Sequence, residues 1–130
     1  MAAEFWWVEI SGCCIQAATR DFARFGQFIL DGAKVNGESI VPNDWISKAT
    51  TTRTPIGQVG RGYGYQWWTF EGGAYTAYGI FGQSIFIDPD KNLVIALNSN
   101  WRSATGLENG EWQAREAFHN AVRAAAIQAE

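Results

Sequence analysis

The chain has 130 residues, 47% of them hydrophobic and 18% charged, and a net charge of −3. That is one domain's worth of chain with enough apolar material for a modest core, which excludes a disordered segment. The acidic balance and scattered Lys and Arg exclude a nucleic-acid binder, and no apolar run approaches the ~20 residues of a membrane span.

The opening "MAAEFWWVEISG" has neither the basic start nor the long apolar stretch of a secretory signal, so the protein is expected to be cytoplasmic. Its "FWWVEI" can pair as a short strand. Cys13 and Cys14 are adjacent. Neighbouring Cα atoms sit ~3.8 Å apart, short of ordinary disulfide spacing, so two reduced, buried thiols are expected. With His119 the only histidine, a zinc site lacks ligands, and neither metal nor cofactor is expected.

From Thr19 the pattern turns helical. Thr19 can cap, Asp21 suits the first turn, Phe22, Phe25 and Ile29 form one stripe, and Gly32 is placed to end the helix. Asn36-Gly37 between Val35 and Ile40 is a strong hairpin signal. Pro42 opens a second helical stretch, "PNDWISKAT", and residues 51–62 read as a surface loop.

Residues 63–70, "YGYQWWTF", read as a strand, in which Trp67 and Trp68 point to opposite faces and one of them can line a pocket. Glu71-Gly72-Gly73 turns into "AYTAYGIF" (74–81), followed by strands at 83–87 and 93–98 around an Asp88-Pro89-Asp90-Lys91-Asn92 turn. Turn chemistry accounts for Asp88 and Asp90 better than paired acid–base work. "LVIAL" is apolar on both faces, as in a strand covered on both sides. The final helix, about 110–128, carries Ala114, Ala117, Phe118, Ala121, Val122 and Ala125 on one face, which is expected to lie on the sheet with His119 at its boundary.

The fold class is therefore α+β without internal repeats, in three parts: helices and hairpin (9–62), an antiparallel meander of three or four strands (63–98), and a long C-terminal helix packed on it. All of it is expected to form one partial domain, 1–130. Gly79 and Gly82 interrupt an apolar run, which marks either a β-bulge or a place where another group approaches the backbone.

No activated nucleophile is visible. There is no Ser-x-x-Lys, Gly-x-Ser-x-Gly, HExxH, P-loop or GxGxxG.

Three segments nevertheless resemble, in order, one family. "TRDFARFG" (19–26) with "GESIVPNDW" (37–45), "RGYGYQWW" (61–68) and "AYGIFGQSIFIDPDKNLVIALNSN" (77–100) are similar to serine hydrolases of the class C β-lactamase, penicillin-recognising type. Within it they look most like the branch of 6-aminohexanoate-dimer hydrolases and related esterases. The resemblance covers about residues 9–125 and implies the C-terminal portion of a β-lactamase-like fold. It also implies an acyl-enzyme mechanism in the parent enzyme. The family's third motif, a Lys/His-Thr-Gly triplet, falls on Ala77-Tyr78-Gly79, which makes the amide of Ile80 an oxyanion-hole donor and Tyr78, Gly79 and Gly82 a substrate-binding wall. The triplet's cation is missing, with Tyr78 nearest its place, so an amide or ester fits better than a carboxylate-bearing penicillin.

The family's Ser-x-x-Lys and tyrosine motifs have no counterpart here. The chain is expected to hold no catalytic residue of its own and to be inactive alone. Without the family's N-terminal strands, "LVIALN" becomes an open edge, predicting a homodimer or a complementing N-terminal fragment. The alternatives are an aromatic-rich module binding a small ligand, or a non-functional product of a partial reading frame.

Overall fold

A computed structural model describes residues 15–126. "FWWVEI", Cys13 and Cys14 lie outside the described residues. The elements in chain order are α1 (Thr19–Leu30), β1 (Lys34–Val35), β2 (Glu38–Ser39), α2 (Trp45–Ala49), β3 (Thr54–Pro55), β4 (Arg61–Tyr63), β5 (Trp68–Phe70), β6 (Tyr75–Tyr78), β7 (Ser84–Asp88), β8 (Leu93–Leu97) and α3 (Glu111–Ala126). β1 and β2 form a small hairpin through Asn36 and Gly37, both at positive φ as a two-residue turn requires. The other six strands make one antiparallel meander in sequence order, β3 to β8. This is the expected α+β architecture, in three layers: α1 and α2, the sheet, then α3.

The meander is longer than the sequence suggests, for two reasons. Residues 51–62 contain β3 and half of a hairpin, with Thr54 opposite Tyr63. In addition, 63–70 is not one strand. Its backbone turns at 64–67, where Gln66 takes φ 66°, Gly64 N–H donates to the Trp67 carbonyl and Tyr65 N–H to that of Ala49. A Cβ on Gly64 would strike the Ala49 carbonyl oxygen, so this glycine lets the turn dock on the end of α2.

Thr19 does not cap α1. The N-cap is Ala18, without a side-chain bond, and Thr19 Oγ1 accepts from Asn98 Nδ2 at 3.0 Å. At the other end Ala33 N–H reaches the Phe28 carbonyl and Gly32 N–H that of Ile29, closing the helix on a left-handed Gly32. α2 starts at Trp45, three residues after Pro42.

The core on the α1 side gathers Ile29, Ala49, Trp67, Tyr75, Ile85 and Ile87. Phe25 is exposed, and Gly26 instead meets the sheet: a Cβ there would sit 2.5 Å from Val94 Cγ1 and 2.9 Å from Ile85 Cγ2. The missing side chain thus lets α1 lie close on β7 and β8.

The other face holds Ala74, Phe86 and Ile95, joined by Phe70, Leu93, Leu97 and Val122. Here the expected orientation of α3 is reversed. Ala114, Ala117, Phe118, Ala121 and Ala125 face outward, and the helix buries Arg115 and His119. Alanines offer little apolar area, whereas the side chains facing the sheet find specific partners. Asp88, 1% exposed, accepts from Arg123 Nε at 2.7 Å, so it is a tertiary anchor as well as a turn residue. His119 Nε2 stands 3.4 Å from Ser84 Oγ, and its ring lies 4.8 Å from that of Phe86. Burial first, with Arg115 and Arg123 nearby, pushes the His119 imidazole down to about 4.

β8 pairs with β7 along Leu93–Leu97 and is the last strand of the sheet among the described residues. No helix among them is long and apolar enough to cross a membrane.

Candidate functional site

β6 ends at Tyr78, and the chain then enters a 3-10 turn, Ile80–Gly82, before β7. Gly79 N–H donates back to the Gln83 carbonyl at 2.9 Å, and Phe81 N–H, at a left-handed φ of 62°, donates to the Ala104 carbonyl at 2.9 Å. Between these committed donors, Ile80 N–H has no acceptor among the described residues, and Ile80 is 67% exposed. A backbone donor held by bonded neighbours and left unused is free to donate to solvent or to a ligand.

Tyr78, Gly79 and Ile80 line two hollows at once. One, of about 800 Å³, opens toward α1 between Phe22, Ala77, Ile85 and Leu97. The other, of about 410 Å³, lies toward α3, under the loop 101–107. Gly79 is exposed beside both. Gly82 is not open space. It is buried at φ 96°, and a Cβ on it would meet the Trp101 indole, 2.5 Å from Nε1, so it seats that ring rather than a ligand.

The two tryptophans of "QWW" do point to opposite faces. Trp67 packs on Tyr75 in the α1 core, and Trp68 lines the smaller hollow beside Tyr63 and Tyr78. Tyr78 directs its hydroxyl toward α3, donating to Glu116 Oε1 at 2.8 Å. Burial, and then the Glu116 carboxylate, push this phenol well above its ordinary range, so it serves as a neutral donor. Glu116 Oε2 accepts from Arg61 Nη2, tying α3 to β4.

A cation absent from the 77–79 triplet stands next to it all the same. The Arg115 guanidinium lies 3.8 Å from the Tyr78 ring centre, 4.3 Å from that of Trp112 and 4.7 Å from that of Trp101. It is 5% exposed, and its Nε and Nη2 have no hydrogen-bond partner among the described residues. Burial pushes its pKa down, opposed by Tyr78 and Glu116. Ring faces repay part of the desolvation of a guanidinium. They do not satisfy its in-plane donors, each of which costs roughly 1–3 kcal/mol when left unpaired.

Arg61, Arg115, Glu116, Trp101 and Trp112 escaped the sequence reading. The signal was a second stripe on α3, Trp112, Arg115, Glu116, His119 and Arg123 at spacings of three and four, which a search for apolar periodicity passes over. No cluster of three or more metal-ligating side chains occurs among the described residues.

Comparison with known proteins agrees with this architecture. Residues 12–119 match the family model described as Beta-lactamase. The 6-aminohexanoate-dimer hydrolase of Paenarthrobacter ureafaciens is 29% identical over 112 residues, covering 74% of this chain and 29% of that protein. A solved structure from Bacillus anthracis, provisionally named a 6-aminohexanoate-dimer hydrolase, superposes with a TM-score of 0.61 at 28% identity, covering 85% of this chain and 28% of that one. The chain thus spans less than a third of either relative's length. An ordered match over residues 12–119, with the sheet and helices placed as that match requires, makes this chain a member of the beta-lactamase family of hydrolases.

Proposed function

We propose that this chain supplies the oxyanion-side wall of a serine hydrolase that cleaves amide or ester bonds through an acyl-enzyme, and that it is inactive by itself. The observation that carries the reading is the unused Ile80 N–H at the end of β6, at the position the family's third motif assigns to the donor. The acylated serine and its base come from sequence outside these 130 residues, which hold no Ser-x-x-Lys. Tyr78 and Gly79 border the acyl group, and Gly82 acts at one remove by seating Trp101. The names of the two relatives point to an amide substrate, and the reading extends that class, with esters, to this chain.

The test joins this chain to a relative's N-terminal portion carrying Ser-x-x-Lys and measures turnover of nitrophenyl esters and anilides. The joined protein is expected to turn over, whereas this chain alone neither turns over nor takes up a fluorophosphonate probe. Ile80→Pro removes the donor at a position whose preceding residue is already extended (Gly79 φ −101°, ψ 160°). Its expected effect is a fall in kcat of about 10²–10³-fold with KM little changed. Probe labelling of the unjoined chain, or an Ile80→Pro protein with full kcat, would sink the reading.

The open side of β8 belongs to the same proposal. It is to be paired by a second copy or by the complementing segment. Light scattering at high concentration should show a mass above the monomer's, and a single monomer peak counts against it.

A further inference from the structure

We infer that Asn36, at the tip of the β1–β2 hairpin, is a site of spontaneous deamidation, where the folded chain converts an asparagine into aspartate and isoaspartate. The inference does not depend on the hydrolase reading, because only atoms of the turn and water take part.

The step is internal to the chain. The Gly37 backbone nitrogen, on losing its proton, attacks Cγ of Asn36; the N–Cγ bond forms as the Cγ–Nδ2 bond breaks, and ammonia leaves with the proton. Glycine has no Cβ to hinder that attack. Water then opens the five-membered imide. Addition at Cγ breaks the new N–Cγ bond and gives aspartate. Addition at the backbone carbonyl carbon breaks the old peptide bond, and the chain then runs through Cγ as isoaspartate. Isoaspartate lengthens by one carbon a turn that two residues close at φ 50° and 84°, so Val35 and Glu38 lose their register, and either product adds one negative charge to the net −3.

Asn-Gly occurs twice, at 36–37 and 109–110, with the same local chemistry. Both asparagines are exposed, and neither glycine N–H has an acceptor among the described residues, as the attack requires. The fold separates the two by what holds the backbone around them. Ring closure needs the turn to open transiently, so its rate follows the cost of that local opening. At Asn36 little resists. Residues 34–40 are exposed throughout, and β1 and β2 pair only with each other, through Lys34–Ser39 and Val35–Glu38, outside the six-stranded sheet. At Asn109 the glycine opens α3. The Gly110 carbonyl accepts from Ala114 N–H at 3.0 Å, and Trp112 N–H is tied to the Gly106 carbonyl at 3.1 Å. Closing a ring there disturbs the start of a helix whose Glu116 and Arg123 are bonded to the sheet.

The experiment incubates the intact 130-residue chain in mildly alkaline buffer beside synthetic peptides of residues 33–40 and 106–113, which give each site's rate without the fold. Peptide mapping by mass spectrometry follows the gain of about 1 Da when the amide becomes an acid. Labelling by an isoaspartyl methyltransferase reads the isoaspartate fraction. Asn36 in the chain is expected to convert within about tenfold of its peptide's rate, with isoaspartate in excess, and Asn109 to lag its own peptide by more than about tenfold. Asn36→Gln should remove the methyltransferase signal from that segment. An Asn36 slower than its peptide by more than that factor means that the hairpin is held shut, and overturns the proposal. Asn36 and Asn109 protected alike relative to their peptides would mean that conversion proceeds through opening of the whole chain, and overturns it too.

Discussion

The two faces of the sheet are held by different physics. Against α1 the sheet presents Tyr75, Ile85, Ile87 and Val94, and the helix answers with Phe22, Ile29 and a bare Gly26 backbone; contact there is apolar and limited by shape. Against α3 it presents Ser84, Asp88, Tyr78 and Arg61 around a smaller apolar centre, and the helix answers with Arg115, Glu116, His119 and Arg123. The first face leaves no room for a side chain at Gly26. The second is tied by ion pairs and hydrogen bonds, with Arg115 left outside them, and it borders the smaller hollow.

Overpacking the first face should have the larger effect. Gly26→Val forces a branched side chain against Val94 and Ile85, and α1 has to move off the sheet. The expected destabilisation is about 3 kcal/mol, seen as a lower urea midpoint with an unchanged slope. A stable Gly26→Val protein would mean that α1 is not clamped as described.

On the second face the lever is pH. His119 is neutral in the fold down to about pH 4, whereas the unfolded chain takes up its proton near 6.5. Its contribution is therefore fully present above pH 6.5 and is lost as pH falls from there toward 4. At pH 5 the loss is about 2 kcal/mol relative to pH 7. His119→Gln, which can keep the contact with Ser84, should flatten that part of the stability–pH curve, measured by urea titration at each pH. An unchanged slope in the variant would remove His119 from the account.

The smallest effect belongs at the margin of the α1 face. Asn98→Ala removes the exposed bond to Thr19 that ties the start of α1 to the end of β8, and should cost about 0.5–1 kcal/mol. A larger loss would make that tie part of the clamp.

The same contrast explains what the sequence made legible. α1, the Asn36-Gly37 hairpin and the β6–β7–β8 meander were readable because local signals and apolar periodicity agree there with the tertiary outcome. That Trp67 and Trp68 face opposite ways followed from strand alternation, even though a turn precedes β5; which of the two lines the hollow came only from the fold. α3 misled because its alanines make a clean stripe of small area, while the energy lies in polar partners 35 to 55 residues away: Asp88 with Arg123, Ser84 with His119, Arg61 with Glu116. Such pairs leave no local trace. Gly82 misled similarly, since only the fold reveals that Trp101 fills the space beside it. The third-motif position, from Ala77 to Ile80, came from resemblance alone.

Trp101 has one more consequence. Its indole is seated over two glycines, Gly82 and Gly106, and the loop and turn are stitched by Phe81 N–H to Ala104 and Trp101 N–H to Phe81. The roof of the smaller hollow and the turn carrying the Ile80 amide are thus joined directly, with one tryptophan as the rivet between them.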